Sequence, residues 1–304
     1  MAEPTRASVS DQAAYQLANV TKTAPIYGAI TPRWLVRLLD WKPLESGIFR
    51  LNRVVEDQPI DVVCGRSDDS EIPQTYAQYE EEPREYILSS INALVNVQTR
   101  TSDLFSNPYD QVREQLRVTI EGVKERQENE LLNNADYGLL NIADSQKIST
   151  RKGAPTPDDL DELLTKVWKE PSLFLAHPRA IAAFGRECTR RGVPPPTVTL
   201  FGSPFLTWRG IPLIPTDKIH VTGKVPKSQI LLIRVGERKQ GVIGLFQPGL
   251  AGEQSPGLSV RFTGIDNRGL ASYLISLYCA ASVLTPDAIA SLENVEVGNY
   301  HEYK

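Results

Sequence analysis

The sequence is poor in the residues on which most catalytic and metal sites depend. Its 304 residues include three cysteines, three histidines and one methionine. The cysteines, Cys64, Cys188 and Cys279, have no C-x-x-C spacing, which argues against a disulfide framework or a structural zinc site and fits a reducing cytoplasm. Paired-histidine metal motifs, the G-x-S-x-G motif and the glycine-rich phosphate-binding motifs are also absent. We therefore expect a structural role, and we predict that the chain is not an enzyme.

Charge of either sign is not in large excess. The formal net charge is −4, with 41% apolar and 23% charged residues. These values are typical of globular proteins and exclude bulk disorder, collagen and coiled coil. A weakly acidic chain is a poor candidate for wrapping nucleic acid, although a local basic face stays possible. The N-terminal residues are polar, so no secretory signal is predicted.

Long apolar runs are missing as well. The uncharged, mostly apolar segment from Gly269 to Leu284 has 16 residues, whereas a spanning helix needs about 20. We interpret the segment as a helix buried inside the protein, and we predict no membrane association.

Two tryptophans occur close together near the N-terminus. In the segment 31–44, Thr31 and Pro32 predict the start of a short helix, and Trp34 and Trp41 fall on one predicted face. This is a large apolar surface next to a polar N-terminal stretch. Core packing and an interface with another subunit are equally good explanations.

The remaining pattern predicts mixed α and β structure. Residues 47–100 predict a long hairpin with a charged tip. Residues 108–133 form the clearest helical pattern. A helix at 156–169 begins at Thr156, and capping explains its four early carboxylates better than a metal site does. From 172 onward the pattern predicts a strand, a helix at 178–188, further strands at 197–202, 206–214, 229–236, 241–247 and 258–264, a Thr-Pro-capped helix at 285–292, and a last strand.

Extended pieces beside a compact block suit a subunit that overlaps its neighbours in a closed assembly. Long stretches carry a specific resemblance: ITPRWLVRLLDW, QVREQLRVTIEGVKERQE, FLAHPRAIAAFGRECTRRGVPPP and QPGLAGEQSPGLSVRF. Through them the chain resembles the encapsulins, bacterial nanocompartment shell proteins. Within these it is similar to the second family, in the branch without a cyclic-nucleotide-binding domain.

The resemblance implies the α+β fold of tailed-phage major capsid proteins, the HK-ninety-seven type. It implies an N-terminal arm at 1–44, an extended loop at 45–100, a peripheral domain at 101–154 and 258–304, and an axial domain at 155–257. By analogy, a fivefold pore rim is expected at Arg190, Arg191, Pro194, Pro195, Pro196, Thr199, Leu200, Phe201, Gly202 and Ser203. Trp34 and Trp41 are expected to anchor the arm to a neighbouring subunit.

The resemblance also implies a function and partners. About sixty copies, the smallest icosahedral count, would form a cytoplasmic shell. The shell would enclose a cysteine desulfurase through a disordered targeting segment and so sequester sulfur metabolism or storage. The chain itself would need no cofactor, because pyridoxal phosphate would belong to the cargo. The alternative is a prophage-type capsid protein that packages nucleic acid.

Overall fold

A computed structural model describes residues 30–55, 76–97 and 111–300. The helices within these ranges are α1 (Trp34–Leu38), α2 (Gln111–Asn133), α3 (Leu139–Ile142), α4 (Pro157–Lys166) and α5 (Pro178–Arg190). The strands are β1 (Asp40–Pro43), β2 (Ile48–Leu51), β3 (Arg84–Ile87), β4 (Ser89–Val97), β5 (Lys147–Ser149), β6 (Leu173–Ala176), β7 (Thr197–Leu200), β8 (Ser203–Trp208), β9 (Ile211–Pro215), β10 (Lys227–Ile233), β11 (Val242–Phe246), β12 (Glu253–Ser255), β13 (Leu258–Ile265), β14 (Ala271–Val283) and β15 (Ile289–Glu296).

The first sheet is built around one long strand. Its order is β1-β11-β14-β13-β12, and β4 also pairs with β14. The expectation of a helix at 269–284 is therefore wrong, because most of that segment is the 13-residue strand β14. Covered strands read as continuous apolar runs without alternation, so periodicity could not separate this strand from a buried helix. Among the described residues, no helix is long and apolar enough to cross a membrane.

The second sheet has the order β5-β15-β10-β6-β9-β8-β7. Helices α4 and α5 pack against it, and Leu163, Phe184 and Leu232 share one buried cluster. The ring of Phe184 lies 5.5 Å from that of Trp208, edge to face. The start of α4 follows the sequence prediction, since Thr156 and Asp159 form a complete capping box. The predicted helix at 178–188 is also confirmed, as α5.

Helix α2 joins the two sheets. Leu116, Ile120 and Val123 pack against the first sheet, while Leu131 and Leu132 lie in the large central cluster. The apolar stripe predicted for 108–133 thus covers a sheet, and residues 108–110 lie outside the described ranges. A helix with one narrow apolar stripe needs such a surface, because helical propensity alone gives little stability.

Two predicted helix starts are wrong. Thr31 does not cap α1. The residue before this helix is Arg33, which has a φ of 49° and makes no side-chain capping hydrogen bond. The helix ends at Leu38, and Trp41 lies on β1. The second is the helix expected at 285–292. There Pro286–Ala288 form a single 3₁₀ turn and the chain continues directly into β15. At Thr285-Pro286, the pairing of β15 with β10 decides the structure after the turn.

The division into arm, loop, peripheral and axial domains stays a prediction. Strands β13 and β14 of the segment 258–304 lie in the first sheet, and β15 of the same segment lies in the second. The hairpin expected at 47–100 is present only in part: β2 pairs with β3 in antiparallel fashion, whereas β4 pairs with β14 in the first sheet.

Candidate assembly and pore surfaces

The predicted pore rim begins at the C-terminal end of α5 with two paired arginines. Glu187 Oε1 lies 2.5 Å from Arg190 Nη2 and 2.9 Å from Arg191 Nε. Hydrogen bonding from Arg190, and then from Arg191, holds the pKa of the Glu187 carboxyl below its usual range. Asp158 lies 3.6 Å from Arg191. These two arginines therefore form part of a compensated cluster, not a ring of bare positive charge.

The predicted rim continues through Pro194–Pro196 into the hairpin of β7 and β8. Leu200 and Ser203 pair across it. Phe201 and Gly202 form the two-residue turn with φ angles of 51° and 77°, as a type I′ turn requires. The Phe201 side chain is 64% exposed. The structure thus places the predicted rim residues on one continuous stretch of surface, and their position around a fivefold pore stays a prediction.

Trp34 packs on the tip of this hairpin. Its ring stacks on Phe201 with the centroids 5.7 Å apart and meets Phe205 edge to face at 5.2 Å. Each aromatic pair contributes about 0.5–1.5 kcal/mol beyond simple burial. One predicted arm anchor and one predicted rim residue are therefore in direct contact. No local signal connects positions so far apart in the chain, so the sequence did not predict this contact.

Trp41 is held by its own chain on edge strand β1. Its indole N–H donates to the Val36 carbonyl at 2.8 Å. The ring covers Gly244 of β11, where an added Cβ would lie 2.6 Å from a ring carbon. Only glycine fits there. Both tryptophans thus have intrachain contacts, and their role as anchors to a neighbour stays a prediction.

The residues before α1 are clamped onto α2 by charge. The carboxylate of Glu125 accepts from the Thr31 N–H at 2.7 Å and from its hydroxyl at 2.9 Å. Lys218 Nζ lies 2.9 Å from the same carboxylate, and Arg33 Nη1 lies 3.1 Å from it. Burial opposes ionisation, yet the hydrogen bonds from Thr31 and Lys218 bring the pKa of Glu125 below its usual range. The sequence signal for this clamp is Glu121 and Glu125 at i and i+4, a like-charge pair that needs compensation.

One turn further along α2, Glu128 is 1% exposed. One carboxylate oxygen accepts from the Thr216 hydroxyl at 3.0 Å. The other, Oε2, is buried without a hydrogen-bond partner. Burial raises the pKa of this carboxyl to about 7. Glu128 therefore changes charge near neutral pH, at a position where the sequence indicated only an ordinary helical residue.

Both described cysteines are buried, and His177 serves as a helix cap. Burial raises the pKa of the Cys188 thiol to about 11 and that of Cys279 to about 12. His177 caps α5, where its Nδ1 accepts from the Arg179 N–H at 3.1 Å. In residues 30–55, 76–97 and 111–300, no group of three or more His, Cys, Asp or Glu side chains is arranged to hold a metal. Cys64 lies outside these ranges.

The ribbon of β2 and β3 exposes an isoleucine pair on one face, beside the exposed ion pair of Arg50 and Glu85. Ile48 and Ile87 are paired directly across it and are 45% and 65% exposed. On the opposite face, Phe49 and Tyr86 pack against the central cluster. A two-stranded ribbon is marginal alone in water. An exposed isoleucine pair on such a ribbon is a candidate surface for contact with another protein.

The family model for SrpI-like Type 2A encapsulin shell proteins matches residues 50–299. The chain belongs to this family. It is 62% identical over 298 residues to the Type 2A encapsulin shell protein SrpI of Synechococcus elongatus, covering 98% of this chain and 97% of that protein. It is 59% identical over 300 residues to a Type 2A encapsulin shell protein of Mycolicibacterium paratuberculosis, with the same coverage. This encapsulin is a structural shell protein and not an enzyme.

Solved structures agree on the fold. The cryo-EM structure of the holo-SrpI encapsulin complex from Synechococcus elongatus has a TM-score of 0.84 and 60% identity, covering 98% of this chain and 99% of that one. The capsid of an empty GTA particle has a TM-score of 0.64 at 12% identity, covering 95% and 100%. A chain from the structure of Microbacterium phage Oxtober96 matches with a TM-score of 0.62 at 11% identity. The match covers 94% of this chain and 99% of that one. These distant matches bear on the fold alone, and the predicted α+β fold of tailed-phage capsid proteins is confirmed.

Proposed function

We propose that this encapsulin subunit assembles with about sixty copies of itself into a closed icosahedral shell in the cytoplasm. The exposed isoleucine pair of the β2–β3 ribbon carries this proposal. The ribbon already uses its other face against its own subunit, and Ile48 and Ile87 stay exposed among the described residues of that subunit. A neighbouring copy is the occupant that a shell supplies at every subunit.

The stability of the proposed shell depends on the repetition of this contact at every subunit. Fully burying one isoleucine side chain is worth about 1.5–3 kcal/mol, and partial exposure reduces what remains to be gained. A heterologous contact of this size is weak for two subunits but repeats at each subunit of a closed ring. Closure therefore multiplies a modest contact over every subunit of the shell.

The rim segment Arg190–Ser203 is our proposed lining of the fivefold pore. Because Glu187 and Asp158 together compensate the two arginines, the lining would present hydroxyl groups and the exposed Phe201 more than net charge. Solute size would then select what crosses the pore, with charge secondary. Trp34 and Trp41 are proposed to hold the arm at the contact with the neighbouring copy.

The proposed cargo is a cysteine desulfurase that carries a disordered targeting segment. The family resemblance supports this, and the solved relative is named as a holo complex. Pyridoxal phosphate would act within the cargo, and the shell would separate the sulfur chemistry from the cytoplasm. The shell contribution is physical: it admits small solutes, retains the enzyme and binds its targeting segment as that segment becomes ordered.

Size-exclusion chromatography followed by cryo-EM of chain co-expressed with a cysteine desulfurase tests the proposal. We expect uniform icosahedral particles that contain the desulfurase and give no nucleic-acid absorbance. The same map should place Arg190–Ser203 at the fivefold axis and bring Trp34 or Trp41 within contact distance of a neighbour. A monomer or small oligomer would contradict the assembly. Particles filled with DNA would support the prophage-type alternative, and empty particles would contradict the cargo assignment alone.

A further inference from the structure

A cleft of about 440 Å³ lies between α1, α2 and the first sheet. Trp41, Phe246 and Leu277 give it an apolar lining. Arg33, Arg37 and Lys124 contribute three cations to the same wall. The cleft is thus both apolar and basic in a chain whose overall charge is negative.

Two of the three cations are uncompensated. Arg33 lies 2.7 Å from Glu121 Oε2 and 3.1 Å from Glu125 Oε1, so its charge is neutralised. Arg37 rests over the Trp34 ring at 5.3 Å. In the part of the chain that the structure describes, neither Arg37 nor Lys124 has a carboxylate within ion-pair distance. The cleft therefore presents about two net positive charges beside an apolar surface.

The complementary surface lies on the returning side of the hairpin that leads into β3. Tyr76 and Tyr79 are 79% and 56% exposed. Glu80, Glu81 and Glu82 follow directly and are exposed. Across the described ranges, these three glutamates form no ion pair. Aromatic side chains and adjacent carboxylates are the chemistry that an apolar, doubly cationic cleft would bind.

We propose that the segment Tyr76–Glu82 of one copy docks in this cleft on a second copy. Its tyrosines would cover the apolar lining, and its glutamates would pair with Arg37 and Lys124. The segment does not line the cleft of its own subunit, so a second copy must supply it. The inference rests on the proposed self-assembly and adds which two surfaces meet and by what charges.

The N-terminal residues 1–29 are a weaker occupant. They contain two acidic residues, Glu3 and Asp11, and two basic ones, Arg6 and Lys22. A segment with no net charge does not complement two cations. Three consecutive glutamates do, because opposite charges attract and like charges across an interface cost several kcal/mol.

A charge swap between the two surfaces tests the docking. The cleft variant is Arg37→Glu with Lys124→Glu, and the hairpin variant is Glu80→Lys with Glu81→Lys and Glu82→Lys. We expect each variant alone to lower the yield of assembled particles about tenfold or more, because each places like charges in contact. The variant that carries both changes should recover most of the assembly. Lys166→Glu is the matched control, on an exposed helix end outside the cleft, and should assemble as the wild type does.

A cysteine pair provides a readout that does not depend on yield. Tyr79→Cys with Lys124→Cys should give disulfide-linked chains on mild oxidation of assembled particles, above the wild-type background. The same hairpin change with Lys166→Cys should stay at background. Normal assembly of both the cleft variant and the hairpin variant, absence of rescue in the combined variant, or absence of the cross-link would each overturn the docking. If the wild type forms no particles, the proposed self-assembly itself has failed.

Discussion

The second sheet and the β2–β3 ribbon use apolar side chains in opposite ways. In the second sheet, Ile230 to Ile233 of β10 are all fully buried by elements of the same chain. In the ribbon, Phe49 and Tyr86 point to the same chain's core while Ile48 and Ile87 point outward. The sheet is complete in one subunit, whereas we propose that a neighbouring copy completes the ribbon. Changes in the first region should therefore unfold the subunit, and changes in the second should separate the subunits.

The largest effect is expected for Phe174→Ala in β6, at the centre of the second sheet. Phe174 is fully buried, and removing such a ring costs about 3–5 kcal/mol through lost burial and the cavity left behind. We expect loss of soluble folded protein or a large fall in melting temperature by circular dichroism. Phe262→Ala is the control, since Phe262 is 56% exposed. Equal melting temperatures for wild type and Phe174→Ala would contradict the comparison.

The next effect is expected for Glu128→Gln, on the helix that joins the two sheets. The pKa of Glu128 is raised from 4.5 to about 7, so folding favours the protonated form. Its contribution to stability is present below about pH 4.5 and is lost as pH rises through about 7. Glutamine cannot ionise, so the variant should be more stable than the wild type at pH 8, by up to about 3 kcal/mol.

The measurement is the free energy of unfolding, wild type minus variant, between pH 4.5 and 8. The charged groups facing Glu128 are Lys218 and Asp217 on the adjacent loop and Glu125 on its own helix. Their titration is common to both proteins and largely cancels in the difference. Glu45→Gln, an exposed change, should leave the difference flat. A flat difference for Glu128→Gln as well would show that the pKa of the buried carboxyl is the same in the folded and unfolded protein.

The smallest effect on the fold, and a clear one on assembly, is expected for Ile87→Ser. Ile87 is 65% exposed in the subunit, so the change should alter folding stability by less than about 0.5 kcal/mol. In a shell the same side chain would be covered, and losing about 1 kcal/mol per contact would raise the assembly threshold roughly fivefold. Light scattering against protein concentration measures that threshold, with Lys224→Ser as the exposed control. An unchanged threshold would mean that the ribbon face stays bare in the particle.

Local chemistry made several elements predictable. The Thr156 capping box and the helix after Pro178 depend on residues a few positions apart, and a sequence displays such spacing directly. The wrong predictions concern segments whose structure is decided by residues far away in the same chain. The apolar segment 269–284 has no periodicity that distinguishes helix from strand, and its state depends on strands far away in the chain. Thr31 has the side chain of a helix cap but bonds to Glu125, 94 residues away.

The surfaces were harder to predict than the fold. The family resemblance implied the architecture, whereas the contact of Trp34 with Phe201 and that of Thr31 with Glu125 join residues far apart in the chain. The same holds for the cleft, whose lining comes from α1, α2 and the first sheet. The sequence shows where charged and aromatic residues occur along the chain. Only the folded arrangement decides which charges have an ion-pair partner and which rings stay exposed.

Strand β14 sets the register of three strands from distant parts of the chain, β4, β11 and β13. Cys279 is in register with Phe246 of β11 and also with Ser89 of β4, while residues 271–277 align β13. A slip of one residue would turn Ile275 and Leu277 away from α2 and would misalign three strands at once. The register of each strand pair therefore constrains the register of the other two. A sheet with one slipped strand pair loses stability in all three pairs.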